Sequence, residues 1–323
     1  MNETQILILQ SFFSPEEENR LRDALPGFSV RFCGPADWAD ALPEASFVIG
    51  NPPVPLLRSA KKLRLLQLIS SGANQYAAPG ALPEGAQLAC ATGSYGPGIA
   101  EYLLAYTMAL FLRLPAYGAN QRAHAWHDEG PVRAMKGASI LVVGLGDIGG
   151  QYAQRCHALG AHVTGVCRTK REAPPFVEDL HTFDELDALL PRADAVALCV
   201  PETKQTIGLM DRRRLALMRP DSVLLNVGRG TAVVTADLVQ ALRNGTIGGA
   251  ALDVTDPEPL PPDHPLWDEP RCILTPHISG GSHFIGTRER IFSICLENAR
   301  RFAAGKAAVN LVDRTTGYRV SQP

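Results

Sequence analysis

The fold of this 323-residue chain is decided by one stretch, residues 139–149, which reads Ser-Ile-Leu-Val-Val-Gly-Leu-Gly-Asp-Ile-Gly. Its first half is a continuous apolar run, typical of a buried strand, and this run stops at Gly144. Apolar residues then recur at helical spacing from Ile148 until Gly160 ends the pattern. A strand, a tight glycine turn and a helix in this order predict a dinucleotide-binding site.

Each glycine of this turn has its own part in such a site. Gly144 permits the turn, Gly146 lets the backbone approach a pyrophosphate, and Gly149 allows the helix to pack closely on the strand. The phosphates are expected against free N–H groups at the positive end of the helix dipole, beside Asp147 and Ile148. Glycines also occur in many purely structural turns, but both flanks here favour the binding site.

Composition narrows the possible classes of function. Hydrophobic residues make up 46% of the chain and charged residues 20%, as in ordinary soluble globular proteins. The net charge of −2 gives no reason to expect a nucleic-acid partner, and no apolar run reaches the roughly 18 residues that cross a membrane. Residues 1–5 lack the features of a secretory signal.

Seven scattered cysteines without a Cys-x-x-Cys pair predict reduced thiols in a cytoplasmic protein, with no metal site.

The length predicts two domains, because a chain of this size exceeds one ordinary core. Apolar runs before and after the glycine turn predict strands at Ile6–Leu9, Ser29–Phe32, Phe47–Ile49, Leu65–Ile69, Ser139–Val143, His162–Cys167, Ala195–Cys199, Ser222–Asn226, Gly248–Leu252 and Cys272–Thr275. Helical patterns fall at Asp184–Leu190, Asp211–Met218, Ala236–Arg243 and about 283–304. This alternation predicts the α/β class, with doubly wound parallel sheets.

Two further helices are indicated near the start of the chain and before the glycine turn. Ser14 is predicted to cap a helix that begins at Pro15 and has acidic residues in its first turn. The segment from Ile99 to Tyr117 is apolar on several faces, so we expect a helix buried between domains or between subunits.

Polar residues follow three of the predicted strands at the point where each strand ends. Arg229 comes after Ser222–Asn226, Asp253 and Glu258 come after Gly248–Leu252, and His277 comes after Cys272–Thr275. Ligands of open α/β sheets bind at the carboxyl ends of the strands. We therefore expect an arginine, a carboxylate and a histidine to face the nicotinamide end of a bound dinucleotide.

This set of side chains matches the needs of 2-oxo-acid reduction, in which a hydride reaches the carbonyl carbon and a proton reaches the oxygen. His277 is the natural general acid, and Glu258 beside it would stabilise the imidazolium. Arg229 offers a planar fork for the substrate carboxylate. Each residue alone has a purely structural interpretation, as a surface histidine, a solvated arginine or part of a connecting loop. Their placement at successive strand ends favours catalysis.

Taken together, these motifs resemble the D-isomer-specific 2-hydroxyacid dehydrogenase family over nearly the whole chain. The resemblance rests on Gly-Leu-Gly-Asp-Ile-Gly at 144–149, Asn-Val-Gly-Arg-Gly at 226–230, Ala-Leu-Asp-Val at 251–254 with Glu-Pro-Leu-Pro at 258–261, and His-Pro-Leu-Trp at 264–267 with Thr-Pro-His at 275–277. It implies two Rossmann-like domains with a cleft between them. Residues 1–97 plus 285–323 would bind substrate, and 98–284 would bind the dinucleotide. It also implies a homodimer packed through the helix from Ile99.

The same resemblance implies roles for individual residues. Arg229 would bind substrate, Glu258 and His277 would form the acid–base pair, and Asp253 would lie near the nicotinamide. Backbone N–H groups of the loop after the fourth predicted strand would grip the substrate carboxylate, namely those of Ser71, Gly72 and Ala73. Further cofactor contacts are implied along two loops, at Val200, Pro201, Thr206, Val227 and Gly228.

The chain departs from the common pattern where NAD-specific proteins carry an acid for the ribose 2′-hydroxyl. That place reads Val-Cys-Arg-Thr-Lys-Arg at 166–171, with no acid before Glu172. Arg168 and Thr169 suit a 2′-phosphate, so NADP(H) is favoured and NAD(H) stays possible. The alternative is a solvated basic loop with relaxed specificity. Asn74-Gln75 also departs from the glycine and acid that many family members have, which weakens inference about the substrate.

The expected activity is reduction of a small 2-oxo acid, of the glyoxylate or hydroxypyruvate kind, to a D-2-hydroxy acid. A formate dehydrogenase-like enzyme is an alternative, but its histidine would pair with glutamine where this chain has Glu258. A dinucleotide-sensing corepressor-like scaffold is another, since such proteins keep the same three side chains. Residues around the substrate are expected among Asn51–Pro53, Tyr76 and Trp126.

Overall fold

The computed structural model describes residues 5–9, 12–281, 284–317 and 319–320, and the chain divides into two compact units. Residues 1–95 with 282–323 form the first unit, and residues 96–281 form the second. Each unit contains one parallel sheet flanked by helices. The prediction of an α/β protein with two Rossmann-like, doubly wound parallel sheets is therefore confirmed.

The sheet of the first unit has five parallel strands in the order β2-β1-β3-β4-β5. The strands are β1 Gln5–Leu9, β2 Ser29–Cys33, β3 Ala45–Ile49, β4 Leu65–Gln67 and β5 Gln87–Ala89. The helices are α1 Pro15–Asp23, α2 Trp38–Ala41, α3 Val54–Leu57, α4 Asn74–Ala77 and, near the end of the chain, α11 Ile285–Ala303. Every residue of β3 is buried, which explains why it reads as an unbroken apolar run.

The predicted cap of α1 is confirmed. The Ser14 hydroxyl accepts a hydrogen bond from the Glu17 N–H at 3.2 Å, and the Glu17 carboxylate accepts one from the Ser14 N–H at 2.8 Å. This reciprocal pair satisfies two backbone donors that a helix start otherwise leaves open. Pro15 stands at the first helical position, where its missing N–H has no cost.

The sheet of the second unit has seven parallel strands in the order β12-β11-β10-β9-β6-β7-β8. The strands are β6 Ser139–Val143, β7 His162–Cys167, β8 Asp179–Thr182, β9 Ala195–Leu198, β10 Val223–Asn226, β11 Gly249–Leu252 and β12 Cys272–Leu274. The helices are α5 Gly96–Phe111, α6 Leu114–Arg122, α7 Asp147–Ala158, α8 Leu186–Leu189, α9 Arg212–Leu215 and α10 Thr235–Arg243. Helices cover the central strands, so β9 and β10 are buried throughout.

The prediction of one continuous helix from Ile99 to Tyr117 is wrong. Helix α5 ends at Phe111, and α6 starts at Leu114 with a bend of 66° between them. Pro115 explains the break, because it has no N–H to donate and its ring clashes with the carbonyl four residues earlier in a continued helix. Arg113 at the bend takes the left-handed conformation, with φ of 55°.

None of the described helices is by itself long and apolar enough to cross a membrane; the bent pair α5–α6 passes that test only jointly, by length and composition. All seven cysteines are free. Within the described ranges, no group of three or more His, Cys, Asp or Glu side chains is arranged to hold a metal ion.

Candidate active site

Three neighbouring strands bring the predicted catalytic residues to one edge of the second sheet. Strands β10, β11 and β12 are paired in parallel, so their carboxyl ends lie together. Arg229 follows β10, and His277 follows β12. The intervening loops pack directly, because a Cβ added to Gly230 would lie 1.9 Å from the Thr255 carbonyl oxygen. Glycine is therefore required at position 230 for the loop of Arg229 to reach the loop that leads to Glu258.

His277 and Glu258 form a pair at this edge, with 2.6 Å between His277 Nδ1 and Glu258 Oε1. The two side chains are 48% and 43% exposed, so small molecules can reach them. Because Nδ1 is engaged by the carboxylate, Nε2 is the ring nitrogen that remains for a substrate. The backbone of His277 is left-handed, with φ of 54°. Its N–H donates to the carbonyl oxygens of Asp253 at 2.8 Å and Thr275 at 3.0 Å.

Arg229 is half-buried, and its turn is shaped by the buried amide of Asn226. The Asn226 Nδ2 group donates to the Arg229 carbonyl at 3.0 Å, and Asn226 Oδ1 accepts from the Gly228 N–H at 3.1 Å. One Nη1 donor of Arg229 bonds the Gly228 carbonyl at 2.7 Å. Its other guanidinium donors have no partner among the described residues. They are available for a carboxylate, which a guanidinium binds with two parallel N–H donors.

Asp253 lies at the end of β11 with only 2% of its surface exposed. Its carboxylate accepts hydrogen bonds from the Thr275 hydroxyl at 2.6 Å, the Ile278 N–H at 3.0 Å, and both the N–H and hydroxyl of Ser279. All four donors belong to the loop that carries His277. Asp253 therefore holds this loop in place.

The glycine turn has the geometry that a pyrophosphate needs. Gly144 has φ of 99°, and a Cβ added to Gly149 would lie 2.0 Å from the Gly144 carbonyl oxygen. These two positions therefore exclude side chains for steric reasons. In contrast, a Cβ on Gly146 would meet nothing within 4 Å, so the N-cap of α7 faces open space. The residues fit a dinucleotide, because an anion can reach this helix start along the backbone.

Asp147 and Ile148 follow the turn at the start of α7. The Asp147 carboxylate accepts a hydrogen bond from the Gly96 N–H at 3.0 Å. A Cβ on Gly96 would lie 2.5 Å from this carboxylate, so a larger residue at position 96 would displace the Asp147 side chain. Asp147 thus links the glycine turn to Gly96, the first residue of α5.

The loops after β9 and β10 meet next to this turn. A Cβ on Gly228 would lie 2.5 Å from the Val200 carbonyl oxygen, so the two backbones touch. Thr206 is buried, and its hydroxyl donates to the Pro201 carbonyl at 2.7 Å. Thr206 therefore fixes the conformation of the loop after β9, and Val227 in the loop after β10 is buried.

The basic segment after β7 is exposed at Arg168, Thr169 and Lys170. Arg171, which the sequence interpretation left without a role, donates from Nη2 to the Leu145 carbonyl at 2.6 Å. This contact joins the basic segment to the glycine turn. The only sign of this contact in the sequence is that an arginine stands three residues after Arg168.

The loop of Ser71, Gly72 and Ala73 lies in the first unit and connects β4 to α4. The Ser70 hydroxyl donates to the Gly72 carbonyl at 2.9 Å, and the Asn51 Nδ2 group donates to that hydroxyl at 2.9 Å. The backbone N–H groups of 71–73 make no hydrogen bond to any described residue. Tyr76 is buried, and its hydroxyl donates to the Pro52 carbonyl at 3.0 Å.

A family model described as the NAD binding domain of D-isomer specific 2-hydroxyacid dehydrogenase matches residues 104–279. The chain belongs to the D-isomer specific 2-hydroxyacid dehydrogenase family. The matched range contains the glycine turn and all three residues of the candidate catalytic set. The second unit is accordingly the nicotinamide-dinucleotide-binding part of a family oxidoreductase, and the resemblance in the sequence is confirmed.

Three relatives illustrate the similarity. Glyoxylate/hydroxypyruvate reductase A of Serratia proteamaculans is 28% identical, over 97% of this chain and 99% of its own. The D-isomer specific 2-hydroxyacid dehydrogenase of Xanthobacter autotrophicus, solved with NADPH and MES, has a TM-score of 0.84 and 28% identity, covering 98% of this chain and 100% of its own. An NADPH-dependent glyoxylate/hydroxypyruvate reductase of Sinorhizobium meliloti, solved with NADP and sulfate, has a TM-score of 0.82 and 26% identity, with the same coverage.

Proposed function

We propose that this family member reduces a small 2-oxo acid, of the glyoxylate or hydroxypyruvate kind, to the D-2-hydroxy acid with NADPH. The observation that carries the proposal is the 2.6 Å contact between His277 and Glu258, at the sheet edge that also presents Arg229. A histidine held by a carboxylate is a proton donor, and formate oxidation needs none. The pair therefore favours carbonyl reduction over a formate dehydrogenase-like reaction.

Each residue of the set has a defined part in the proposed reaction. When bound, the nicotinamide supplies the hydride. Arg229 binds the substrate carboxylate with two parallel donors, and the backbone N–H groups of Ser71, Gly72 and Ala73 are further donors proposed for substrate. His277 Nε2 gives a proton to the carbonyl oxygen, and Glu258 stabilises the imidazolium and orients the ring. Asp253 holds the His277 loop beside the nicotinamide.

The test is oxidation of NADPH, followed at 340 nm, with a panel of glyoxylate, hydroxypyruvate, pyruvate and 2-oxoglutarate. Turnover with at least one of them supports the proposal. No turnover with any of them, combined with tight NADPH binding, would instead favour a dinucleotide-sensing corepressor-like scaffold.

We expect NADPH to be preferred over NADH by about tenfold or more in kcat/KM, since a guanidinium pairs with the 2′-phosphate. Arg168 and Thr169 are the residues proposed to contact the 2′-phosphate, and the relatives solved with NADPH or NADP support the choice of cofactor. Arg168→Ala should remove most of the preference while kcat/KM with NADH changes little. Arg300→Ala, an exposed arginine on α11, is the control. A tenfold or greater preference for NADH in the unaltered protein would contradict the assignment.

The open space at Gly146 permits a second test of the cofactor site. Gly146→Ala meets no protein atom within 4 Å, so the melting temperature without cofactor should stay unchanged. We expect the Kd for NADPH to rise about tenfold, because the added methyl group occupies space reserved for the pyrophosphate. Gly150→Ala, on the same helix and equally unobstructed, is the matched control. Equal NADPH affinity in both variants would show that no phosphate approaches Gly146.

The remaining parts of the proposal concern assembly and compartment. We propose a homodimer formed through α5, α6 and the segment that follows. Four of the eight large hydrophobic side chains exposed in the described residues lie there, namely Met108, Leu114, Trp126 and Val132. Such clustering is typical of surfaces that another chain covers. Seven free cysteines support a reducing compartment such as the cytoplasm.

A further inference from the structure

We propose that Tyr106 and Thr275 are positioning residues for His277 and that they act through the Asp253 carboxylate. The inference rests on the proposed role of His277 as proton donor. It starts from a line of hydrogen bonds that runs from helix α5 to the loop carrying His277, entirely within the second unit.

The line has a fixed direction. The Tyr106 hydroxyl lies 2.6 Å from Thr275 Oγ1, and Thr275 Oγ1 lies 2.6 Å from Asp253 Oδ1. An ionised carboxylate only accepts hydrogen bonds, so the Thr275 proton points to Asp253. Tyr106 must then donate to Thr275. Burial raises the pKa of Tyr106 well above its usual value, so this hydroxyl keeps its proton.

Asp253 has no spare acceptor site. A carboxylate offers about four lone-pair sites, and four donors of the 275–279 loop occupy them. With 2% exposure, the carboxylate depends on these donors for the stabilisation that water would otherwise give. Thr275 and Ser279 bind it on either side of His277. The position of the imidazole therefore depends on how many of these hydrogen bonds the Asp253 carboxylate receives.

His277 needs this support because its backbone is left-handed, with φ of 54°. Such a conformation persists only where the surroundings determine it. Without the Tyr106 hydroxyl, Thr275 Oγ1 loses the donor that fixes its position and strengthens, by polarisation, its own hydrogen bond to Asp253. The ring of His277 then shifts relative to Glu258 and the substrate. Small displacements of a catalytic group lower rates strongly.

The proposal is tested with Tyr106→Phe, Thr275→Val and the double variant, assayed with NADPH and with NADPH deuterated at the transferred position. Tyr106→Phe should lower kcat about tenfold, and Thr275→Val about 30-fold, with the KM for NADPH unchanged. The deuterium isotope effect on kcat should rise, because the chemical step becomes more rate-limiting. The double variant should have the same kcat as Thr275→Val alone, because both substitutions interrupt the same chain of hydrogen bonds. Thr275→Ser keeps the hydroxyl group, so this variant should retain most of the wild-type kcat.

Tyr152→Phe is the matched control. Tyr152 is also buried, and its hydroxyl lies 2.7 Å from the hydroxyl of Thr107, which is on α5 as Tyr106 is; it makes no hydrogen bond to the described residues 275–279. It should lose stability as Tyr106→Phe does, yet keep wild-type kcat and isotope effect.

If the wild-type protein reduces 2-oxo acids, any one of three results would overturn the inference. These are a wild-type kcat in Tyr106→Phe, an equal loss of kcat in Tyr152→Phe, or additive losses of kcat in the double variant. A wild-type protein that reduces no 2-oxo acid overturns the proposed function, and this inference with it.

Discussion

Replacing His277 with alanine is expected to lower kcat for 2-oxo-acid reduction by about 10²- to 10⁴-fold, which is the usual contribution of a general acid. The physical reason is that the developing alkoxide then takes its proton from water. Affinity for NADPH should stay the same, because the glycine turn and the loops after β9 and β10 are untouched. Steady-state kinetics and fluorescence titration with NADPH measure the two quantities separately.

The second unit offers a matched control for this variant. His162 pairs with Glu178 at 2.7 Å, much as His277 pairs with Glu258, but its strand β7 places it at the opposite end of the sheet strands. His162→Ala should leave kcat unchanged. If His277→Ala retains wild-type kcat, or if both histidine variants lose activity equally, His277 is not the proton donor.

Replacing Arg229 with lysine is expected to raise the KM for the 2-oxo acid about 10- to 100-fold, the range of one lost charge-assisted hydrogen bond. An ammonium keeps the charge but cannot make two parallel contacts with a carboxylate. The KM for NADPH should change little. Initial rates at saturating NADPH, with the 2-oxo acid varied over three decades, measure the effect.

Arg213→Lys is the corresponding control, since Arg213 forms an exposed ion pair with Asp187 outside the candidate site. It should leave both KM values unchanged. An Arg229→Lys variant with wild-type KM for the substrate would mean that another group binds the carboxylate.

The fold was predictable where burial is complete. Strand β6 has four buried residues in a row, so its apolar run and the glycine turn after it are clear in the sequence. Strand β8 was not predicted, because this polar edge strand is only partly buried and has no apolar run to detect. Strand β5 was missed as well, since it has only three residues and one of them is exposed.

The candidate site was predictable in part for a similar reason. Arg229 and His277 stand directly after strands, so locating the strands located them as well. The contact of Tyr106 with Thr275 joins residues 169 positions apart, and it depends on which face of α5 packs on the sheet. Nothing in the local pattern of α5 distinguishes Tyr106 from its apolar neighbours. The link from Arg171 to Leu145 likewise depends on the path of an irregular loop.

A crystal structure of the protein with NADPH and oxamate, an unreactive analogue of a 2-oxo acid, addresses the proposed chemistry most directly. We expect the oxamate carboxylate within about 3 Å of two Arg229 nitrogens, and its carbonyl oxygen within the same distance of His277 Nε2. Oxamate bound with no contact to Arg229 and His277, while NADPH occupies the glycine turn, would contradict the proposed roles of both residues.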